Sequence, residues 1–183
     1  MKKTPIVPPH KQPNVVDHLK WIKQHDVEQT INPQKIPVSL LLVNIERDNN
    51  LGNIIRSANT FGVSEIFIYG RKKFDRRTSV GAEYFMSFRH ITFCQDLDPV
   101  LTEFDTVIGL EQTSWSQELH SFSWPGDKTL LMIGQESIGL DKSLSQKCHY
   151  TLEIEQYGTT RSLNVSVATG IALYDYRVKK VNK

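Results

Sequence analysis

Short runs of apolar, often β-branched residues recur along the chain from Val38 onward. Continuous apolar runs of this length are typical of strands that are buried on both faces of a parallel sheet. The pattern therefore predicts strands over residues 38–46, 65–70, 90–94, 106–110, 129–134 and 150–154.

Segments with helical spacing separate these runs, at residues 53–61, 96–104 and 141–149. The clearest predicted helix spans 162–181, where apolar residues three and four positions apart form one stripe. That stripe contains Leu163, Val167, Ile171, Tyr174 and Val178. Alternating strands and helices predict a doubly wound α/β fold. Such folds bind ligands at the carboxyl ends of their strands, which here are followed by the loops after Glu46, Leu110, Gly134 and Ile154.

The first 37 residues differ in composition from the rest, because they hold six of the eight prolines. Proline disrupts helix interiors, so residues 1–37 are predicted to be an arm with one short helix within 15–30. Residues 38–183 are predicted to form a single domain.

Composition narrows the function only slightly. The net charge of +2 permits nucleic acid as a partner without demanding it. Cys94 and Cys148 are far apart and show no metal-ligand spacing, so we expect no disulfide framework and no metal. No apolar run is long enough for a membrane span or a secretion signal, and we expect a cytoplasmic protein without a membrane partner.

Several familiar signatures are absent. No GxGxxG follows the first strand, which argues against a nicotinamide-binding fold. Gly134 and Gly139 have the spacing of a phosphate-binding loop, but Leu140-Asp141 replaces the required Lys-Ser/Thr pair. Neither HExxH nor GxSxG occurs.

Three segments at predicted strand ends carry candidate chemistry. Residues 50–62 are predicted to be an Asn/Gly turn and then a helix, with Arg56 one turn inside and able to reach an anion. Residues 130–140 place two glycines and Glu136 after a buried strand. Residues 154–166 place Ser162 where it would cap the last helix, whereas Asn164 has no such explanation.

Taken together, NxGxIxRxAxxFG, GxExxGL and SLNVSxA resemble the three motifs of the SpoU/TrmH branch of the SPOUT RNA 2'-O-ribose methyltransferases. The resemblance covers about residues 38–178. Residues 107–113 and 158–165 look especially like the eukaryotic-type tRNA guanosine methyltransferases, which modify the D-loop guanosine at position 18.

The resemblance implies a mostly parallel sheet flanked by helices, whose C-terminal third is threaded into a trefoil knot that binds S-adenosyl-L-methionine. It implies a homodimer in which Arg56 reaches the partner's cofactor. The catalytic polar set would be Asn50, Arg56, Glu136, Ser162 and Asn164. Backbone contacts and an apolar slot for the cofactor would come from Leu110, Gly134, Ile154 and Leu163. Asp48 and Glu155 stand where this family usually has loop prolines.

The implied reaction is methyl transfer to a ribose 2'-oxygen of RNA, with tRNA favoured. We expect Asn50 to hold Arg56, and Ser162 and Asn164 to position the hydroxyl. The segment after the second strand is a candidate contact for the RNA backbone through Arg71, Lys72, Lys73, Arg76 and Arg77, although a solvated loop explains it about as well.

Other functions remain open at this stage. The same chemistry on ribosomal RNA or on the tRNA wobble ribose is the runner-up among enzymes. A non-catalytic RNA-binding protein of the same fold is the alternative from another class, and a cofactor-binding protein with a small-molecule substrate is a more distant one.

Overall fold

The computed structural model describes residues 16–19, 26, 30, 34–125 and 128–180. Within these residues one sheet has seven strands in the order β3-β2-β1-β6-β4-β7-β5, and every strand pair is parallel. The predicted α/β fold with a parallel sheet is confirmed, and the implied knot stays a prediction. The strands are β1 Val38–Val43, β2 Ile66–Tyr69, β3 Phe88–Ile91, β4 Thr106–Leu110, β5 Gln117–Glu118, β6 Thr129–Ile133 and β7 Tyr150–Glu153.

Helices cover both faces of the sheet. They are α1 Asp48–Phe61, α2 Arg76–Ser79, α3 Leu97–Leu101, α4 Lys142–Ser145 and α5 Val165–Lys180, with 3-10 turns at Asp17–Leu19, Ala82–Phe85 and Cys94–Asp96. One core cluster joins the sheet to α1 and α5, and the other joins it to α3 and α4. The central strands β1 and β6 are buried along their whole length, as their unbroken apolar runs predict.

Two short strands, β3 and β5, are not continuous apolar runs, so the hydrophobic pattern does not predict them correctly. β3 is an edge strand that begins two residues before its predicted start and carries Arg89, whose guanidinium pairs with Glu103. β5 has two exposed residues at the other edge and was not predicted. Edge strands keep polar residues because one side faces solvent, so a search for buried runs places them poorly.

α1 begins at Asp48, not at residue 53, so the predicted turn at Asn50 and Gly52 is wrong and both residues are helical. The glycine serves close packing instead. A Cβ on Gly52 would lie 2.0 Å from Thr78 Oγ1 and 2.7 Å from the carbonyl oxygen of Asp75. α1 ends at Phe61, the last residue of the predicted helix. Gly62 follows it as the C-cap with a left-handed φ of 74°, which stops the helix there.

The last helix is fastened to the segment that precedes β6. Trp124 Nε1 donates to Asp175 Oδ2 at 2.7 Å, and Lys179 Nζ lies 2.9 Å from Asp175 Oδ1. The same ammonium donates to the carbonyl oxygens of Leu119 and His120 at 2.7 Å each. These bonds hold α5 in place, which fixes the position of the loop that leads into it.

The apolar stripe of α5 does not face the chain's own core. Its members Val167, Ile171, Tyr174 and Val178 are 38–59 % exposed, whereas Leu163, predicted as a fifth member, precedes the helix and is 38 % exposed. The opposite face, packed in the core with α1 and the sheet, holds Ser166, Thr169, Ala172, Leu173 and Tyr176. Periodicity predicts the helix but cannot say which body covers its apolar face.

The predicted arm lies mostly outside the described residues, including most of the helix expected within 15–30. Its described part contains the 3-10 turn Asp17–Leu19, in which Leu19 is buried. No helix in the described parts of the chain is both long enough and apolar enough to cross a membrane.

The packing at Gly52 predicts a large difference between two glycine substitutions. Gly52→Ala should lower the free energy of unfolding by about 1–3 kcal/mol, because the added methyl overlaps Thr78 and a backbone carbonyl. Gly158→Ala is the matched control, since a Cβ there meets nothing within 4 Å, and we expect a change within about 0.5 kcal/mol. Urea unfolding of both variants measures the difference. Equal stabilities would contradict this account of α1.

Candidate active site

The carboxyl ends of β1, β4, β6 and β7 and the start of α5 surround one cavity of about 590 Å³. This volume is within the roughly 300–1,000 Å³ typical of sites for small molecules and cofactors. The four residues predicted to contact a cofactor all line it, and so do four of the five predicted polar residues. These are Leu110, Gly134, Ile154 and Leu163, and Asn50, Glu136, Ser162 and Asn164.

The carboxylate of Glu136 joins the loop after β6 to the loop after β1. Its Oε2 accepts the backbone N–H of Glu46 at 2.8 Å. Its Oε1 accepts the side-chain amide of Asn50 at 2.7 Å and the backbone N–H of Arg47 at 3.2 Å. A second contact runs between the same loops, from the Ser137 hydroxyl to Glu46. Glu136 therefore acts first as a clamp between two strand ends.

These bonds also lower the pKa of Glu136. Partial burial alone would raise its pKa, but the donors from Glu46, Asn50 and Arg47 outweigh that effect and hold the pKa below its ordinary value. A carboxylate with a lowered pKa is a weaker base. The hydrogen bonds to Glu46, Asn50 and Arg47 thus favour the ionised form of Glu136.

Asn50 extends the connection to the loop before α5. Asn164 Nδ2 donates to Asn50 Oδ1 at 3.0 Å, and Asn50 is almost fully buried. The expected contact between Asn50 and Arg56 is not formed within one chain, because the Asn50 amide bonds to Glu136 and Asn164 and Arg56 borders a different depression. A continuous hydrogen-bonded chain thus joins the turn after β6, the first turn of α1 and the loop before α5.

Asn164 also begins the last helix. Its Oδ1 accepts the backbone N–H of Ser166 at 2.9 Å and the Ser166 hydroxyl at 2.6 Å, and its carbonyl accepts from Ala168. This is the N-cap pattern, so the predicted cap at Ser162 is wrong. Ser162 is instead exposed and lines the cavity, where its hydroxyl can face a ligand.

The turn over residues 134–140 has one further support, which the sequence analysis did not identify. Glu111 follows β4, and its carboxylate accepts the backbone N–H of Leu140 at 2.8 Å and of Gln112 at 2.9 Å. A Cβ on Gly139 would lie 1.8 Å from Glu111 Oε2, and one on Gly134 would lie 2.2 Å from the Gly139 backbone. Both glycines are thus required by the folding of the turn on itself. Glu111 lies in the segment 107–113 that carries part of the family resemblance, but as a single residue its signal is only that of an acid directly after a strand.

Arg56 lies apart from this cavity. It is exposed and borders a separate surface depression, together with residues of the apolar stripe on α5. Ser57, Val167, Ile171 and Tyr174 share that depression. The structure therefore does not bring Arg56 together with Asn50, Glu136, Ser162 and Asn164 of its own chain.

The candidate RNA-binding segment is partly neutralised by its own carboxylates. Arg71 and Lys73 lie 2.5 Å and 3.9 Å from the Asp48 carboxylate, and Arg77 lies 2.7 Å from that of Asp75. Lys72 and Arg76 are exposed. Asp48, which stands at a usual loop proline, thus anchors the segment to the start of α1.

Glu155, at the other departure from the family pattern, also finds a partner. His120 Nδ1 lies 2.8 Å from Glu155 Oε2, and His120 Nε2 lies 3.8 Å from Glu118. Among the described residues these three form the one group with possible metal-ligand spacing, and all three are partly or fully exposed. Together with the Lys179 bonds, the contact ties the loop after β7 to α5.

Comparison with known proteins places the chain in a family. The model of the SpoU rRNA Methylase family matches residues 37–174, and the chain belongs to this family. Solved structures share its fold. The TrmH/SpoU tRNA modifying enzyme of A. aeolicus matches with a TM-score of 0.76 and 20 % identity, covering 85 % of this chain and 81 % of the other. An AdoMet-bound rRNA methyltransferase from Sinorhizobium meliloti matches with a TM-score of 0.71 and 24 % identity, covering 82 % and 59 %.

Curated relatives extend the comparison. The mouse tRNA (guanosine(18)-2'-O)-methyltransferase TARBP1 is 32 % identical over 139 residues, which are 72 % of this chain. The Saccharomyces cerevisiae tRNA (guanosine(18)-2'-O)-methyltransferase is 30 % identical over 74 % of the chain. The chain spans only 9 % and 10 % of those two proteins. The Coxiella burnetii 23S rRNA (guanosine-2'-O-)-methyltransferase RlmB is 30 % identical, with 79 % of this chain and 60 % of the relative covered.

The lowered pKa of Glu136 predicts a stability difference that depends on pH. The ionised carboxylate stabilises the fold fully above the ordinary glutamate pKa of about 4.3, and this contribution is lost as the pH falls through the lower folded-state value. The difference in unfolding free energy between the wild type and Glu136→Gln should therefore be constant near neutral pH and shrink below about pH 4.

Urea unfolding across this pH range measures the effect. Glu153→Gln is the control, because Glu153 lines the same cavity but its carboxylate has no hydrogen-bond partner among the described residues. If the wild type remains more stable than Glu136→Gln by the same amount in acid, the ionised carboxylate of Glu136 is not what stabilises the fold.

Proposed function

We propose that this protein is an S-adenosyl-L-methionine-dependent RNA 2'-O-ribose methyltransferase that acts on tRNA, with the D-loop guanosine at position 18 as its target. The observation that carries the proposal is the hydrogen-bonded chain Glu136–Asn50–Asn164 at the edge of a cofactor-sized cavity. Membership in the SpoU family supports the reaction class. The names of the mouse and yeast relatives favour tRNA over ribosomal RNA as substrate.

The residues around the cavity suit the cofactor. Leu110, Ile154 and Leu163 offer an apolar wall for an adenine ring, and the tight turn at Gly134 exposes backbone groups to polar atoms of a ligand. S-adenosyl-L-methionine, when bound, supplies an electrophilic methyl group on its sulfonium.

The chain's own residues then have to hold and orient the ribose. Asn164 uses one hydrogen of its Nδ2 for Asn50, and an amide carries two, so the second can donate to a ribose oxygen. The exposed hydroxyl of Ser162 lies on the same cavity wall. Fixing the hydroxyl at a defined angle to the methyl group is the main contribution a protein makes to such a transfer.

Arg56 completes the site from a second copy of the chain. It lies beside the exposed stripe of α5 rather than in its own cavity. Covering Val167, Ile171 and Tyr174 with the same stripe of a partner would remove an apolar patch from water. The protein is therefore a homodimer in this proposal, and each Arg56 supports the partner's site. A guanidinium stays protonated at neutral pH, so its role is to bind an anionic group of the RNA.

Methyl transfer tests the proposal directly. Labelled S-adenosyl-L-methionine is incubated with the protein and unmodified tRNA or ribosomal RNA, and the modified nucleotide is mapped. Label on the 2'-oxygen of a D-loop guanosine is the expected result. Label on ribosomal RNA or on the wobble ribose would keep the reaction and replace the substrate. Bound cofactor and bound RNA with no transfer would indicate a non-catalytic RNA-binding protein.

A site shared between two chains predicts complementation between inactive variants. Arg56→Ala and Asn164→Ala should each lose most of the transfer activity, because each removes one half of the site. After mixing and subunit exchange, half of the dimers are mixed and each has one intact site, so about a quarter of the wild-type activity should return.

The control for this experiment is a mixture of Asn50→Ala with Asn164→Ala. Both changes fall in the same half of the site, since the two side chains bond within one chain. No recovery in the first mixture, or equal recovery in both, would contradict a shared site.

A further inference from the structure

Two arginines lie on the wall of the cavity from different loops. Arg47 directly precedes α1 in the loop after β1, and Arg161 precedes Ser162 in the loop after β7. Both side chains are exposed. In the portion of the chain that the structure describes, neither guanidinium has a carboxylate within ion-pair distance.

Two of the three acids that share this cavity wall with the arginines are engaged elsewhere, and the third, Glu153, is within ion-pair distance of neither arginine among the described residues. Glu136 accepts two backbone N–H groups and one amide, and Glu111 accepts two backbone N–H groups. Glu46, next to Arg47 in the chain, accepts the hydroxyl of Ser137. The positive charge of Arg47 and Arg161 is therefore left for a ligand.

In contrast to Arg47 and Arg161, most cations of the segment over residues 71–77 are paired with carboxylates of the chain. Three of its five cations already lie against Asp48 or Asp75, so an RNA phosphate would have to compete with a carboxylate of the chain itself. An unpaired arginine has no such competitor. Its planar fork of N–H groups also matches the oxygens of a phosphodiester in a bidentate manner.

We infer that Arg47 and Arg161 bind backbone phosphates of the substrate RNA beside the ribose that enters the cavity. The inference rests on the proposed function and adds to it a phosphate-binding pair from two different loops. Neither residue belongs to the polar set Asn50, Glu136, Ser162 and Asn164. The pair would fix the RNA strand on both sides of the reactive hydroxyl, while the base is recognised elsewhere.

Salt dependence of RNA binding measures such contacts. Each lost phosphate contact should lower the slope of log affinity against log salt by about 1. We expect Arg161→Gln and Arg47→Gln each to weaken binding of an unmodified tRNA transcript about tenfold at ~0.1 M salt and to reduce the slope by that amount. Arg161→Lys should keep the slope and lose part of the affinity, because it keeps the charge without the fork.

Lys147→Gln is the matched control, since it removes a surface charge that pairs with Asp98 and does not line the cavity. Its affinity and slope should equal those of the wild type. Slopes unchanged in both arginine variants would overturn the inference even if the protein methylates RNA. Weaker binding of S-adenosyl-L-methionine with an unchanged RNA slope would also overturn it, because the anion would then be the cofactor's carboxylate.

The test separates this inference from the proposed function. Binding is measured without transfer, so a protein that methylates no RNA but shows the expected slopes supports the phosphate contacts while the reaction fails. If the wild type methylates RNA but the salt slopes of the variants are unaltered, the proposed function is supported and the phosphate contacts of Arg47 and Arg161 are overturned.

Discussion

The site of this protein depends on one carboxylate that is satisfied from a neighbouring loop. Glu136 lies in the turn after β6, and three donors from the residues after β1 converge on it. Asn50 then passes the connection to Asn164 at the start of α5. A parallel sheet brings the ends of its strands to one edge, but it does not fix the loops that follow them. The hydrogen-bonded chain does, and Asn50 at its centre is almost fully buried, where an unmade bond is costly.

The rest of the fold supports this arrangement from both sides. Glu111 holds the same turn from the side of β4, and two glycines let the turn close on itself. At the far end of α5, Lys179 and Trp124 fasten the helix to the segment before β6. A single chain also leaves one apolar surface exposed to water. Arg56 and the apolar stripe of α5 share an exposed surface, which a second copy would complete in the proposed dimer.

Much of the fold is predictable from sequence, because buried parallel strands and long helices leave strong patterns. β4 has the bounds predicted for it, and β1 and β6 differ only at their ends. α1 shows the limit of such prediction. Asn and Gly favour turns locally, yet both residues are helical, and the lack of a Cβ at Gly52 lets Thr78 and Asp75 approach the helix closely. Likewise, the spacing of apolar residues predicts the helix α5 correctly. That spacing does not indicate whether the core of the chain or another protein covers the apolar stripe.

For the candidate site, likewise, the sequence predicts some features and not others. The motifs select Asn50, Glu136, Ser162 and Asn164, and the structure places them around one cavity. Their individual partners were less predictable, because a carboxylate that binds backbone N–H groups needs no particular residue opposite it. For that reason a sequence pattern points neither to Glu111 as a support of the turn nor to Glu136 as the partner of Asn50.

The Asn50–Asn164 bond couples the start of α1 to the loop before α5, and a double-mutant cycle measures that coupling most directly. Urea unfolding of the wild type, Asn50→Ala, Asn164→Ala and the double variant gives the four free energies required. We predict that the two substitutions are non-additive by about 1 kcal/mol or more, because either one alone already breaks the bond. Effects that add to within about 0.3 kcal/mol would contradict the claim that this hydrogen-bonded chain joins the loops into one site.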